Sequence, residues 1–125
     1  MTDLVLESFF WLIRVELMMW VGGLRSIHRY VRAYKTRLPV DGLRHDSDKL
    51  CSAMDLACAF YPKRTLCLQR SAATLLLLRH HGWNAQLVIG AQTVPFKSHA
   101  WVEVNGGVVS DKPYMRQMYQ VVELL

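Results

Sequence analysis

The first helix that the sequence predicts is apolar on almost every side. Residues 3–21, DLVLESFFWLIRVELMMWV, carry Asp3, Glu7 and Arg14 along one narrow line, and Glu16 is a fourth charge. A membrane span needs about twenty residues with few or no charges, so these charges argue against one. We expect a helix that is buried in the core or docked on another protein, and we expect Gly22-Gly23 to bend or end it.

Basic side chains share one face of the helical stretch that follows. They recur with helical spacing at Arg25, His28, Arg29, Arg32 and Lys35. Two interpretations stay open for this face. It is either the solvated side of a helix or a docking face for an acidic peptide or protein.

Two more helices are predicted before the pattern changes. Residues 49–60, KLCSAMDLACAF, form one of them. The other has Thr65 as its candidate N-cap and continues to His81. Gly82 then stands where a glycine is expected just past the C-terminus of a helix.

After Gly82 the runs become β-branched and aromatic, which is typical of strands. These runs are NAQLVIG at 84–90, HAWVEVN at 99–105 and GVVSD at 107–111. The predicted fold class is therefore α+β, with N-terminal helices followed by one helix packed on a small antiparallel sheet. We expect a single domain over 1–125, helical over 1–62 and with its core from 63 to 125.

Composition limits the protein to a few classes. With 125 residues, 52% of them hydrophobic, the chain can bury one core. Its net charge of +5 favours acidic partners without choosing among them. The basic helix face lacks interleaved aromatic residues, which argues against nucleic acid. The N-terminus lacks the pattern of a secretory signal, so we expect a cytoplasmic protein.

The three cysteines, Cys51, Cys58 and Cys67, do not pair evenly, and none lies in a C-x-x-C motif. A disulfide framework and a zinc site are therefore both poorly supported, and we expect no metal and no cofactor. Cys51 and Cys58 are seven residues apart and are interpreted as small core residues.

Cys67 is the candidate nucleophile. It falls in the first turn of the predicted helix that begins after Thr65. Free backbone N–H groups and the positive end of the helix dipole stabilise a thiolate there, and the same N–H groups can hold a developing oxyanion.

A thiol nucleophile also needs a base and a group that orients the base. His99 begins a predicted strand, on the same sheet face as Trp101 and Glu103. Asp111 is the candidate third member. A two-residue loop at Asn105-Gly106 would point Asp111 away from His99, whereas a three-residue loop would place it diagonally opposite His99. The second glycine, Gly107, favours the three-residue loop, and we expect that register.

The stretch CLQRSAATLLLLRHHGWNAQLVIGAQTVPFKSHAWVEVNGGVVSD resembles the transglutaminase-like leader peptidases of lasso peptide biosynthesis. The similarity lies in C-L-x-R-S, the apolar helix, A-x-L-V-I-G, P-F-x-x-H-A-W-V-E and G-x-V-V-x-D. It covers about residues 64–111. Ser98 and Ala91 depart from the family pattern, in which Ala and Val are usual at those places.

The resemblance implies a papain-like cysteine protease in which Cys67, His99 and Asp111 form the catalytic triad. Its substrate would be a ribosomally made precursor peptide, from which it removes the leader. An ATP-dependent cyclase would then close the lactam ring. The short chain resembles the split form of the family, in which a separate small protein recognises the leader. The first helix and the basic face are candidate docking surfaces for that protein.

Two other functions stay open. A transglutaminase-like core also allows amide transfer to an amine, and a non-catalytic scaffold could dock precursor and cyclase through the apolar helix. The sequence names neither the precursor peptide nor the residues at its cleavage site, and Gln69 and Gln92 are candidates for a second oxyanion donor by residue type alone.

Overall fold

The fold, seen in a computed structural model, is a set of helices followed by a small antiparallel sheet. The structure describes residues 2–36, 46–61, 67–93, 96–109 and 115–125. Its elements are α1 (Thr2–Ala33), α2 (Ser47–Phe60), α3 (Cys67–His80), β1 (Ala85–Thr93), β2 (Phe96–Val104), β3 (Gly107–Val108), α4 (Met115–Met118) and β4 (Gln120–Leu124). The predicted α+β class is confirmed, whereas α4 and β4 were not predicted.

Helix α1 joins the first two predicted helical stretches into one element. It bends at Gly23, whose φ of 67° lies in the left-handed region that glycine adopts without strain. The predicted bend is therefore confirmed, and the chain continues as helix on both sides of it. None of the helices in the described part of the chain combines the length and the apolar character of a membrane span.

Helix α3 ends as the sequence predicts. Gly82 has a φ of 91°, and the backbone N–H of Trp83 donates to the carbonyl of Leu78 at 2.9 Å. The N–H of Gly82 donates to Arg79 at 3.2 Å, which completes a Schellman motif. The candidate N-cap Thr65 lies outside the described residues.

The end of α3 is also the point where α1, β1 and the C-terminus meet. The guanidinium of Arg79 donates to the carbonyls of Val31 at 2.6 Å, Tyr34 at 2.9 Å, Ala85 at 3.0 Å and Leu125 at 3.3 Å. Burial lowers the pKa of Arg79 from its usual value. Beyond stabilising the helix dipole, this side chain therefore holds four backbone segments together.

The sheet has the strand order β3-β2-β1-β4, with antiparallel neighbours. Its first face packs against α3, on which α1 and α2 pack in turn. These elements share one hydrophobic core, to which β2 contributes Ala100, Val102 and Val104. Its second face carries a smaller cluster of Val88, Trp101 and Met115. A polar candidate on β2 can therefore lie either under the helices or on this second face.

The hairpin between β2 and β3 differs from the prediction. It turns through two residues, Asn105 and Gly106, with φ values of 53° and 82°, and Val104 pairs with Gly107. Asn-Gly suits this turn because both central residues need positive φ. The three-residue loop was therefore wrong, and with it the register argument that placed Asp111 beside His99. Asp111 itself lies outside the described residues.

Candidate active site

Helix α3 is attached to β2, one turn after its start, by a buried hydrogen bond. The hydroxyl of Ser71 donates to the backbone carbonyl of Ala100, the neighbour of His99, at 2.9 Å. Cys67 is the first residue of α3, one helical turn before Ser71 and on the same side of the helix. The structure describes the backbone of Cys67 and not its side chain.

A second contact shows that α3 and β2 run side by side in the same direction. Arg79, eight residues after Ser71, bonds to Ala85, whose strand partner is Val104. From Ser71 to Arg79 the helix advances about 12 Å, and from Ala100 to Val104 the strand advances about 13 Å. The two elements therefore cover the same distance between the two contacts.

The same arithmetic extends to the start of the helix. Cys67 lies about 6 Å before Ser71 along α3, which corresponds to about two strand residues before Ala100. This places the backbone of Cys67 level with Ser98 and His99. The structure therefore brings the helix start and the candidate histidine to the same end of the sheet.

The hydrogen bond from Ser71 to Ala100 lies at the edge of β2 that faces β3. The backbone N–H of Val109 donates to the carbonyl of Val102 at 3.0 Å, so that carbonyl points toward β3. Carbonyls two residues apart on a strand point the same way, so the carbonyl of Ala100 faces the same edge. Ser71, and with it the first turn of α3, lies along this edge of the strand.

His99 occupies the second face of the sheet, opposite the one that α3 covers. Its ring centroid is 6.1 Å from that of Trp101 and 5.6 Å from that of Tyr119. The prediction that His99, Trp101 and Glu103 share a face is confirmed. A thiol at the start of α3 must therefore meet the imidazole around the edge of β2 rather than through the sheet.

A glycine opposite His99 makes room for these rings. Gly90 pairs with His99, and a Cβ at Gly90 would lie 2.7 Å from the Trp101 ring and 2.8 Å from the Cβ of Tyr119. Contacts that short do not occur, so a larger residue would displace the two aromatic side chains that flank the imidazole.

The second face also holds a buried carboxylate that sequence reasoning did not single out as functional. Glu103 is 1% exposed and accepts two hydrogen bonds from the guanidinium of Arg116, at 2.8 and 2.9 Å. The indole N–H of Trp101 donates to the same carboxylate at 2.9 Å. The hydrogen bonds from Arg116 hold the pKa of Glu103 below its usual value. This network fixes the ring that stacks on His99.

The signal for this network was present in the alternation of β2. Trp101 and Glu103 follow His99 at every second position, which places all three on one face. Its partner Arg116 comes from the short helix α4, and the sequence pattern predicted neither that helix nor its place beside the sheet.

The other candidates divide between the two faces. Gln69 is buried on α3, and Gln92 stands on the second face with His99. Arg70 of the C-L-x-R-S motif forms an ion pair with Asp55 of α2. Cys51 is buried, as predicted, and Cys58 is half-buried.

A family model described as the transglutaminase-like superfamily matches residues 9–124 of the sequence, nearly its whole length. The chain belongs to the transglutaminase-like superfamily. The helices and the four-stranded antiparallel sheet described above are therefore the α+β fold of a member of this superfamily.

One curated relative of this transglutaminase-like chain is the Microcin J25-processing protein McjB of Escherichia coli. It is 46% identical over 56 residues, which are 45% of this chain and 27% of that protein. The chain therefore spans about a quarter of the length of this relative. No solved structure matches the chain.

Proposed function

We propose that this transglutaminase-like chain is a cysteine peptidase that removes the leader from a lasso peptide precursor. The hydrogen bond from Ser71 to Ala100 carries the proposal, because it brings the helix start at Cys67 level with His99. The similarity to a protein named for processing microcin J25 supports a peptide precursor as the substrate.

In the proposed mechanism His99 takes the proton of the Cys67 thiol, and the thiolate attacks the carbonyl of the last leader residue. The backbone N–H of Cys67 holds the oxyanion, and His99 protonates the leaving amine. Water then hydrolyses the thioester and frees the leader. Asp111 keeps its proposed role of orienting the imidazole on the strength of the family pattern alone.

The aromatic face gives the base a defined position. Trp101 and Tyr119 restrict how the His99 ring can turn, and Trp101 is itself held by Glu103. A base whose ring is held needs less reorganisation in the transition state. Gln92, on the same face, is the proposed second oxyanion donor, because Gln69 is buried on α3.

The proposed partners follow from the family resemblance. The substrate is a precursor peptide, a separate small protein recognises its leader, and an ATP-dependent cyclase closes the ring on the freed core. We propose that this occurs in the cytoplasm.

The reactivity of the thiol tests the chemistry without a known substrate. Alkylation by iodoacetamide, followed residue by residue by mass spectrometry, should show Cys67 reacting well below pH 8.5 because its thiolate is stabilised. His99→Ala should move that profile to higher pH. Cys51 is the internal control, since burial, and next Asp55, raise its pKa to about 12. If Cys67 titrates as an ordinary thiol in the wild type, the mechanism is wrong.

Product masses separate the remaining candidates. With a lasso precursor peptide as substrate, hydrolysis yields free leader and core, whereas amide transfer yields an adduct with an added amine. Cys67→Ala should abolish both reactions. Continued peptide maturation by Cys67→Ala would instead identify a scaffold.

A further inference from the structure

The outer side of α1 carries a continuous row of exposed apolar side chains. Trp11, Leu12 and Val15 lie on the inner side of the helix and are buried in the core. The exposed residues of the outer row are separated alternately by four and by three positions in the sequence. We call it the apolar seam; its members are Leu6, Phe10, Ile13, Leu17, Trp20 and Leu24. Alternating four and three is the spacing with which one helix packs along another.

The seam is large enough for a stable interface. Its side chains are 47% to 84% exposed, with Trp20 the most exposed. They present on the order of 700 Å², since a large side chain offers roughly 150–250 Å². The five that precede the bend at Gly23 span about 21 Å of helix. A standard interface buries about 800 Å² per partner, and a patch on an ordinary monomer rarely exceeds about 600 Å².

At its C-terminal end the seam runs into a basic groove of about 810 Å³. Leu24 belongs to both surfaces, and the remaining groove residues are Arg25, His28, Arg29, Arg32 and Ala33. Glu123 of β4 binds Arg32 at 3.0 Å and lies 3.6 Å from His28. Among the described residues, neither Arg25 nor Arg29 forms an ion pair. The groove therefore offers two uncompensated cations beside an apolar strip.

Charge argues against a second copy of this chain as the occupant. Two seams in antiparallel register, overlapping from Leu6 to Leu24, would bring Arg14 against Arg14 and Glu16 against Glu16 at the two-fold axis. A parallel pair would bring the two basic grooves together. Like charges across an interface cost affinity in both arrangements.

A membrane surface also fits poorly. Amphipathic helices that lie at a membrane–water interface carry Lys and Arg beside their apolar face. The segment that holds the seam carries Asp3, Glu7 and Glu16 against the single cation Arg14, so an anionic surface would repel most of its length.

We propose that the apolar seam and the basic groove together bind a partner protein through an amphipathic helix that carries acidic residues in its first turn. An antiparallel arrangement places that turn beside Arg25 and Arg29, where α1 continues past the seam. Acidic residues are also favourable at the N-terminus of the partner helix itself. This docking surface lies on α1 and takes no part in the proposed peptide cleavage.

A synthetic helix is the probe that tests this. One fluorescent peptide has leucines separated alternately by four and by three residues, and it has three glutamates in its first turn. The control peptide is the same except that three lysines replace the glutamates. Fluorescence anisotropy with the full chain should show about tenfold tighter binding of the glutamate peptide at low salt. Added salt should reduce that difference.

Variants assign the binding to the two surfaces. Leu17→Glu should abolish binding of both peptides, and Arg29→Glu should remove the preference for glutamate. Phe60→Glu is the matched control, because Phe60 is 72% exposed on α2, outside the seam. All three positions are exposed, so circular dichroism should show unchanged helix content. Cys67→Ala should bind like the wild type, which separates this proposal from the peptidase.

Several outcomes would overturn the proposal. They are equal affinity for the two peptides, no binding of either, or equal loss of binding in Phe60→Glu and Leu17→Glu. Sedimentation that reveals a dimer dissociated by Leu17→Glu would assign the seam to a second copy. Flotation with phosphatidylserine vesicles that Leu17→Glu abolishes would assign it to a membrane.

Discussion

Replacing Ser71 with alanine tests whether the start of α3 is held against the histidine strand. The substitution removes only the hydroxyl that donates to Ala100 at 2.9 Å. Both residues are buried, at 6% and 4% exposure, so the abandoned carbonyl is shielded from water. A net hydrogen bond contributes about 1 kcal/mol, and a buried acceptor without a partner costs about 1–3 kcal/mol. We expect a loss of about 1.5 kcal/mol in the free energy of unfolding.

The same chain offers a matched control. The hydroxyl of Thr74, one turn further along α3, donates to the carbonyl of Arg70 at 2.8 Å. That carbonyl is also the acceptor of the helix's own backbone bond, so it keeps a partner when the hydroxyl is lost. Thr74→Val removes the hydroxyl and nearly conserves volume, and we expect it to cost about 0.5 kcal/mol or less.

Urea unfolding gives the two free energies, and the pH profile of Cys67 alkylation gives the functional readout. Ser71→Ala should move that profile toward that of an ordinary thiol, because the helix start is no longer held level with His99, whereas Thr74→Val should leave it unchanged. A misplacement of about 1 Å can cost about a hundredfold in rate. Equal stability losses in the two variants, or an unchanged profile in Ser71→Ala, would refute the inference that this bond positions the site.

Three further predictions concern the framework of the site. Gly90→Ala should cost about 2 kcal/mol in thermal or urea unfolding, since the new Cβ would lie 2.7 Å from the Trp101 ring. The lowered pKa of Glu103 gives stability that is fully present above about pH 4.3 and is lost as pH falls through its folded value, so the advantage of wild type over Glu103→Gln in urea titrations should shrink between pH 7 and pH 3. Arg79→Lys should cost about 2–3 kcal/mol in unfolding, because an ammonium group does not span four carbonyls.

Local rules predicted the features that depend on neighbours in sequence. The stop of α3 at Gly82 and the bend of α1 at Gly23 follow from the backbone freedom of glycine. The shared face of His99 and Trp101 follows from the period of two along a strand. Each of these features is determined within a few residues, so no knowledge of the packing was needed.

The hairpin shows how such reasoning can fail even locally. Both loop lengths were compatible with the sequence, and the three-residue loop was preferred because Gly107 suits its third residue, which must adopt the left-handed conformation. The chain instead adopts the turn that Asn105 and Gly106 favour on their own. The local preference of the Asn-Gly pair outweighs that of the second glycine, and the error also removed the geometric argument for Asp111.

By itself the sequence determined the order of helices and strands as far as β3, the start of α3 near Cys67, and the sheet face on which His99 stands. Only the tertiary structure decided that Ser71 ties that helix to Ala100, that Arg116 neutralises Glu103, and that one side of α1 is left uncovered. The reason is physical: periodicity specifies which side of an element is apolar, whereas the pairing of polar groups distant in sequence depends on how the elements pack.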